Sequence, residues 1–158
     1  MHEAEPGGVH VFPCRVYYED TDAGGVVYHA NYLKFAERAR SELLRHFGTD
    51  NTTLHDRYSV VFAVRDCTVT YYQPARLDDA LEVHTQILQV GAATLAMRQR
   101  VMRSGEMLAD LNIRLACLNP LGRPVRLPVE IRSALEASDI AVLGKAELAD
   151  TRDGTKCN

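Results

Sequence analysis

The sequence has no tryptophan, few aromatic residues and no long apolar run. No stretch approaches the roughly 20 apolar residues that a membrane-spanning helix needs. Residues 1–5 also lack the basic and apolar pattern of a secretory signal. These absences predict a cytoplasmic protein without a transmembrane segment.

The cysteines offer no framework for disulfides or metal sites. Cys14, Cys67 and Cys117 stand at wide, irregular spacings inside strand-like patterns, and no C-x-x-C pair occurs. Because zinc and redox dithiol sites use closely spaced cysteines, these three are expected to be reduced, buried and inert. The six histidines show no metal-ligand spacing either. We therefore predict neither a metal nor another cofactor.

The charge of the chain excludes one large class of partner. The formal net charge is -3, and the Lys and Arg residues are scattered along the chain. A nucleic-acid-binding surface needs a concentrated basic patch, so nucleic acid is not an expected partner. Anionic small molecules can still be bound through local contacts.

Length and composition predict one folded unit. The chain has 158 residues, of which 46% are hydrophobic, enough for a core without disulfides. Residues 1–8 lack periodicity and are expected to form a flexible tail. Residues 9–137 are the predicted domain, and residues 138–158 are a second predicted flexible tail.

The first periodic segment alternates in the manner of a half-buried strand. Phe12, Cys14, Val16 and Tyr18 share one face of it, and it is expected to end near Glu19. A loop rich in Asp and Gly comes next. The periodicity then changes to that of a helix.

One long amphipathic helix is predicted after this loop. Its apolar residues are Tyr32, Ala36, Ala39, Leu43 and Phe47, with Leu33, Phe35 and Leu44 broadening the stripe. Spacings of three and four residues put them on one side of a helix. Glu37 and Arg40 belong to the charged side and are expected to be solvated. Gly48 stands where a left-handed cap would end the helix.

The rest of the chain has the pattern of strands. The predicted strands are 60–72, 81–90, 94–103 and 107–118, and the last three are separated by short turn sequences typical of hairpins. Pro128 can open a short final helix through Leu135. The predicted fold is α+β, with one long helix wrapped by a roughly five-stranded antiparallel sheet, which is the hot-dog arrangement.

Residues 17–32 place two carboxylates, two glycines and a histidine between strand and helix. Their pattern D-x-D-x-x-G-V-V-Y-H-x-x-Y continues into E-R-A-R at 37–40, and a second block, V-T-Y-Y-Q-P-A-R-L-D-D, occupies 69–79. Over about residues 12–135 the chain resembles the acyl-CoA thioesterases of the 4-hydroxybenzoyl-CoA thioesterase superfamily. The resemblance is closest to the bacterial Tol-Pal-associated branch.

The resemblance implies a hot-dog fold, an acyl-CoA substrate and an active site at a subunit interface. It further implies that Asp22 is the essential carboxylate and that the backbone N–H of His29 donates to the oxyanion. The expected assembly is a homo-tetramer built as a dimer of hot-dog dimers. Acyl carrier protein is a second candidate partner.

Reasoning from the residues gives a compatible mechanism. Asp22 can act as a general base toward water or as a nucleophile on the thioester carbonyl, and the sequence does not choose between the two. A helix that begins near His29 would offer unpaired N–H groups to a developing oxyanion. Gly24 and Gly25 would let the loop turn sharply and let substrate approach the backbone. The remaining predicted substrate contacts are Val26, Val27, Tyr28 and Tyr32.

Each of these residues also has a structural interpretation. Asp20 is expected to orient the loop, and a bare D-x-D also occurs at metal sites. The His29 side chain can be a supporting or interface histidine instead of a substrate contact, and Tyr28 and Tyr32 can be core aromatics.

Two other functions fit the same fold. One is a non-catalytic module that binds acyl-CoA or acyl carrier protein. The other is an enoyl hydratase, which ranks last because that chemistry uses an Asp-His pair placed closer together and on a different element. An intact Asp22 favours the thioesterase.

Overall fold

A computed structural model describes residues 4–5, 8–138 and 140. Its elements in chain order are β1 Ala4–Glu5, β2 Val9–Arg15, α1 Asn31–His46, α2 Asn51–Tyr58, β3 Val61–Tyr71, β4 Ala80–Val90, β5 Thr94–Arg103, β6 Glu106–Leu118 and α3 Val129–Glu136. The strands form one sheet in the order β1-β2-β4-β5-β6-β3, and every neighbouring pair is antiparallel. Five long strands around α1 confirm the predicted α+β hot-dog layout.

Helix α1 lies across the inner face of the sheet. Its buried apolar residues are Tyr32, Phe35, Ala36, Ala39 and Leu43. Ala36 and Ala39 have no exposed surface, and such small side chains let the helix approach the sheet closely. Gly48 has a φ of 80°, as the predicted left-handed cap requires.

Two residues of α1 differ from their predicted environment. Leu33 was expected to widen the apolar stripe, but 43% of it is exposed. Arg40 was expected to be solvated, but it is half-buried and donates from Nη1 to Gln99 Oε1 at 2.9 Å. Burial lowers the pKa of Arg40. Gln99 is itself buried beneath the helix and donates to the Ala36 carbonyl at 2.9 Å.

Strand β3 is an edge strand, and most of its residues are exposed. Among the described residues it pairs only with β6, from Val61 opposite Leu118 to Tyr71 opposite Ala109. Cys67, predicted to be buried, is exposed on this strand. The prediction failed because sequence alternation does not reveal which strand lacks a second neighbour.

Three local predictions are also corrected. Strand β2 ends at Arg15, and a 3₁₀ turn from Tyr18 to Asp20 leaves Tyr18 82% exposed. Residues 51–58 form α2, which the sequence analysis did not predict, although Asp50 caps it by accepting the Thr53 N–H at 2.7 Å. Pro128 is the N-cap of α3 and not its first helical residue.

The predicted tails overlap the described residues only in part. Ala4–Glu5 pairs with β2, with Ala4 opposite His10. Ile140 is buried, whereas residues 141–158 lie outside the described residues. The proposed domain bounds stay a prediction. Within the described part of the chain, no helix is long and apolar enough to cross a membrane.

Candidate active site

A tight hairpin carries Asp22 at its tip. Thr21 and Val27 form an antiparallel bridge, the Asp22 N–H donates to the Val26 carbonyl at 2.9 Å, and the Gly25 N–H donates to the Asp22 carbonyl at 3.0 Å. Gly25 has a φ of 79°, in the left-handed region that favours glycine. A Cβ on Gly24 would lie 3.1 Å from Asp22 Oδ1, closer than most such contacts. Both glycines therefore suit this turn better than larger residues would.

The Asp22 carboxylate faces solvent. Its residue is exposed, and Oδ1 accepts the Gly24 N–H at 2.8 Å. Within the described residues, Oδ2 has no hydrogen-bond donor in the chain. One oxygen thus orients the side chain, while the other is available to water or substrate.

Asp20 has a different environment from Asp22. It is 3% exposed, with Oδ1 accepting from Asn31 Nδ2 at 2.6 Å and Oδ2 accepting the Tyr17 N–H at 2.8 Å. Its carbonyl accepts the Tyr28 N–H at 2.9 Å. Asp20 therefore ties the hairpin to the start of α1, which is the orienting role expected for it.

The two carboxylates of D-x-D do not form a metal site with each other. Both oxygens of Asp20 are already occupied by protein donors. Among the residues that the structure describes, no group of three or more His, Cys, Asp or Glu side chains could hold a metal ion.

Helix α1 begins at Asn31, two residues later than the predicted start at His29. The Asn31 N–H donates to the Tyr28 carbonyl at 2.8 Å, and the Tyr71 hydroxyl donates to the His29 carbonyl at 2.7 Å. Within the described residues, the N–H groups of His29 and Ala30 have no acceptor. The later helix start therefore still leaves the predicted donor unpaired.

The His29 side chain is exposed among aromatic rings. Its ring centroid lies 4.6 Å from that of Tyr28 and 6.5 Å from that of Tyr71. Tyr28 is 48% exposed. Tyr28 and His29 thus present a surface that a substrate can contact.

The second sequence block packs directly against the first. Val26 bridges Arg76, the Val27 N–H donates to the Ala75 carbonyl at 2.8 Å, and the Ala75 N–H donates to the Tyr32 hydroxyl at 3.0 Å. Val27 and Tyr32 are 4% and 3% exposed. Val27 and Tyr32 therefore support the site from the core. The substrate contacts stay a prediction for all six residues, which are Gly24, Gly25, Val26, Val27, Tyr28 and Tyr32.

Two residues of this region have contacts that the sequence did not predict. Asn31 is buried against Asp20, and Tyr71 reaches His29 from the end of β3. Asn31 lies in the first sequence block, 17–32, and Tyr71 lies in the second, 69–79. Membership of these blocks was the signal that could have identified them. Their partners could not be identified without the fold.

A separate cavity of about 270 Å³ lies between α1, α2, α3 and the sheet. Its lining is mostly apolar, with Leu44, Phe62 and Ile131 among its residues, and Glu37 and Arg40 add charges of opposite sign. None of the predicted site residues lines it. The cavity is thus distinct from the surface around Asp22.

The fold and this surface together define a class of protein. A carboxylate with a free oxygen, close in sequence to two unpaired N–H groups before a helix, is suited to a ligand with an activated carbonyl. The fold that holds the carboxylate and these N–H groups is a hot-dog sheet. The model of the Thioesterase-like superfamily matches residues 16–135, and the chain belongs to that superfamily.

The relatives include bacterial proteins that this chain matches over most of their length. The chain is 46% identical to the acyl-CoA thioesterase YbgC of Haemophilus influenzae over 78% of this chain and 91% of that protein. It is 47% identical to the acyl-CoA thioester hydrolase YbgC of Escherichia coli O6:H1 over 76% of this chain and 90% of that protein. A probable thioesterase from Bartonella henselae has a similar crystal structure, with a TM-score of 0.74, 40% identity and coverage of 76% and 99% of the two chains.

Proposed function

We propose that this protein is an acyl-CoA thioesterase, which hydrolyses the thioester of an acyl-CoA to a free acid and CoA. The observation that carries the proposal is the accessible carboxylate of Asp22 in the hairpin that leads to the unpaired N–H of His29. Thioester hydrolysis needs a group that activates or supplies the nucleophile and a donor that stabilises the developing oxyanion. The relatives named as acyl-CoA thioesterases support the same activity, since they match over about nine-tenths of their length.

The N–H of His29 is the proposed oxyanion donor. As a nucleophile attacks the carbonyl carbon, negative charge develops on the carbonyl oxygen and is stabilised by this preorganised donor. The C–S bond then breaks and CoA leaves as a thiolate, which takes up a proton.

Asp22 serves the attack in one of two ways. As a general base it takes a proton from water while the water oxygen attacks the carbonyl, and that proton later passes to the thiolate. As a nucleophile it attacks the carbonyl itself, and water hydrolyses the resulting mixed anhydride. The free Oδ2 suits both routes.

We further infer that the active enzyme is a homo-oligomer. Asp22 and His29 are exposed on the single chain, whereas electrostatic stabilisation of an oxyanion is strongest where water is excluded. A neighbouring subunit would supply that shielding. The homo-tetramer, the Tol-Pal-associated branch, acyl carrier protein as a partner and the cytoplasmic location stay finer predictions from the sequence.

The decisive test is Asp22→Asn, assayed for thiol release across a panel of acyl-CoA substrates. The amide keeps the size of the side chain and can still accept the Gly24 N–H, so folding and KM should be preserved. It can neither take a proton from water nor attack the carbonyl, so kcat should fall by a factor on the order of 10² or more.

Glu19→Gln is the matched control, because Glu19 is an exposed carboxylate in the same loop. It should keep kcat within about twofold, as expected when a charge outside the chemistry is removed. If folded Asp22→Asn protein retained the wild-type kcat, the proposed mechanism would be wrong. If the wild type released no thiol from any substrate but bound acyl-CoA, the non-catalytic binding module would be favoured.

A further inference from the structure

Tyr71 connects the edge strand to the segment before α1. It is the last residue of β3, and its hydroxyl donates to the His29 carbonyl at 2.7 Å across 42 positions of sequence. Its ring meets that of His29 edge-on at 88° and that of Tyr32 at 72°, with the Tyr32 centroid 5.3 Å away. Tyr71 therefore contacts both the backbone and the ring of His29.

This hydrogen bond acts on a peptide unit that has a free donor. The His29 carbonyl and the Ala30 N–H belong to the same planar peptide group, so fixing the oxygen also fixes the direction of the N–H. A donor on the carbonyl oxygen also polarises the group and strengthens its N–H as a donor. Within the described residues that Ala30 N–H has no acceptor.

The preceding peptide group is held in the same manner. The Tyr28 carbonyl accepts the Asn31 N–H at 2.8 Å, and this group carries the His29 N–H. Both peptides flanking His29 are therefore restrained through their oxygens while their N–H groups stay unpaired. Oxyanion sites in acyl transfer commonly use backbone N–H groups restrained before the reaction begins.

We propose that Tyr71 is a positioning residue for thioester hydrolysis, whose hydroxyl holds the His29–Ala30 peptide so that the N–H groups of His29 and Ala30 both serve the developing oxyanion. This inference rests on the proposed function. It adds Ala30 as a second donor and assigns a role to the second sequence block. Burial raises the pKa of the Tyr71 hydroxyl, which therefore stays protonated as a donor through neutral and mildly alkaline pH.

The test is Tyr71→Phe, which removes the hydroxyl and keeps the aromatic ring. We expect kcat to fall about 10- to 100-fold with KM changed less than about threefold, a loss below the 10²- to 10³-fold typical of removing a donor outright. Affinity for a trifluoromethyl ketone analogue of acyl-CoA, whose hydrate imitates the tetrahedral intermediate, should weaken by a similar factor. Affinity for free CoA should be unchanged. An unfolded variant would lose that affinity too, so this measurement separates a positioning role from a loss of fold.

Tyr72→Phe is the matched control. Tyr72 is the adjacent residue, is 54% exposed, and its hydroxyl makes no hydrogen bond to the described residues. It should retain the wild-type kcat and affinity for the analogue. Circular dichroism and thermal unfolding should show both variants folded.

Two outcomes would overturn the inference, and they are distinguishable. If the wild type hydrolyses acyl-CoA and Asp22→Asn removes the activity, but Tyr71→Phe behaves as Tyr72→Phe or raises KM alone, Tyr71 is not a positioning residue and the proposed function stands. If the wild type does not hydrolyse acyl-CoA, or Asp22→Asn keeps full activity, the proposed function fails and the role of Tyr71 fails with it.

Discussion

The two aspartates of the D-x-D motif show how one residue type takes two roles within three positions. Asp22 is exposed and has a free oxygen, whereas Asp20 is 3% exposed and both of its oxygens are hydrogen-bonded. From the sequence, both can be capping or loop residues. The distinction lies in burial and in hydrogen bonding: Asp20 is buried and accepts from Asn31 Nδ2 and the Tyr17 N–H, whereas the Asp22 side chain faces solvent.

Asp20→Asn is predicted to destabilise the fold. An amide offers one oxygen where Asp20 uses two, so the oxygen of the new amide can accept the Tyr17 N–H only if Asn31 turns its own amide to present Oδ1 to the new NH₂ group. Both hydrogen bonds then lose their charged acceptor, and since a hydrogen bond to a charged group contributes about 1.5–3 kcal/mol against about 0.5–1.5 kcal/mol for a neutral one, the loss should be about 1–3 kcal/mol. The free energy of unfolding, measured by urea denaturation, should fall by that amount.

Asp22→Asn is the comparison for this measurement, since its side chain is exposed and should leave stability within about 0.5 kcal/mol of the wild type. Equal stability of Asp20→Asn and the wild type would contradict the orienting role of Asp20.

At the residue scale, local contacts were predictable and long-range contacts were not. Gly24, Gly25 and Asp22 act within one turn, so their spacing carried the signal. Tyr71 acts on His29 through a contact between residues 42 positions apart. No local pattern encodes such a pairing.

At the scale of elements, strong periodicity gave reliable predictions. The predicted strand 94–103 matches β5, Thr94–Arg103, because its alternation is regular and a glycine-containing turn bounds each end. Helix α2 was missed because it has eight residues and only Leu54 is buried. A short, mostly exposed helix has no apolar stripe for a periodicity argument to detect.

A salt bridge joins the second sequence block to the sheet. Arg103 Nη1 lies 2.8 Å from Asp79 Oδ2 and donates to the Pro74 carbonyl at 3.1 Å. Asp79 Oδ2 also accepts the Arg76 N–H at 2.9 Å. Burial opposes ionisation of Asp79, but the hydrogen bonds and charge of Arg103 and Arg76 outweigh it and lower the pKa below its ordinary value of 3.8.

This pKa shift predicts a pH-dependent contribution to stability. Because the folded-state pKa of Asp79 lies below 3.8, the stabilisation is fully present above the unfolded-state value and is lost as the pH falls through the folded-state value. Arg103→Gln should lower the free energy of unfolding by about 1 kcal/mol at pH 7. The difference from the wild type should shrink below about pH 4.

Arg114→Gln is the control for this ion pair. Arg114 pairs with Asp66 at 3.1 Å, but about half of each side chain is exposed, so solvent screens the charges. Its effect at pH 7 should be smaller than that of Arg103→Gln. An Arg103→Gln effect that stays constant from pH 7 to pH 3 would show that the carboxylate of Asp79 is not involved.

At the scale of the whole molecule, one side of β3 has no neighbouring strand among the described residues. Within the described residues, the large exposed apolar side chains include Val61, Val64 and Tyr71 of this one strand. A long edge strand with unpaired backbone groups is a template for pairing with another strand. The family resemblance led us to expect an oligomer, but no pattern in the sequence identified this edge.

Two copies of β3 paired antiparallel about a two-fold axis would extend the sheet across both subunits. In such a pair the end of one strand, with Tyr71, lies near the beginning of the other, with Val61. The surface around Asp22 would then adjoin the neighbouring subunit, which is the shielding that the proposed chemistry needs.

Val64→Lys is therefore predicted to dissociate the oligomer and to reduce turnover in parallel. Val64 is 52% exposed on β3, so the free chain should tolerate a charge there, whereas an interface would bury the ammonium groups from both subunits without a partner. Val129→Lys is the matched control, because Val129 is 74% exposed on α3. Light scattering after gel filtration at micromolar concentration should give an oligomer for the wild type and Val129→Lys, and a folded monomer for Val64→Lys. A wild-type monomer that turns over acyl-CoA would show that the site is complete within one chain, and a Val64→Lys oligomer with full activity would exclude β3 as the interface.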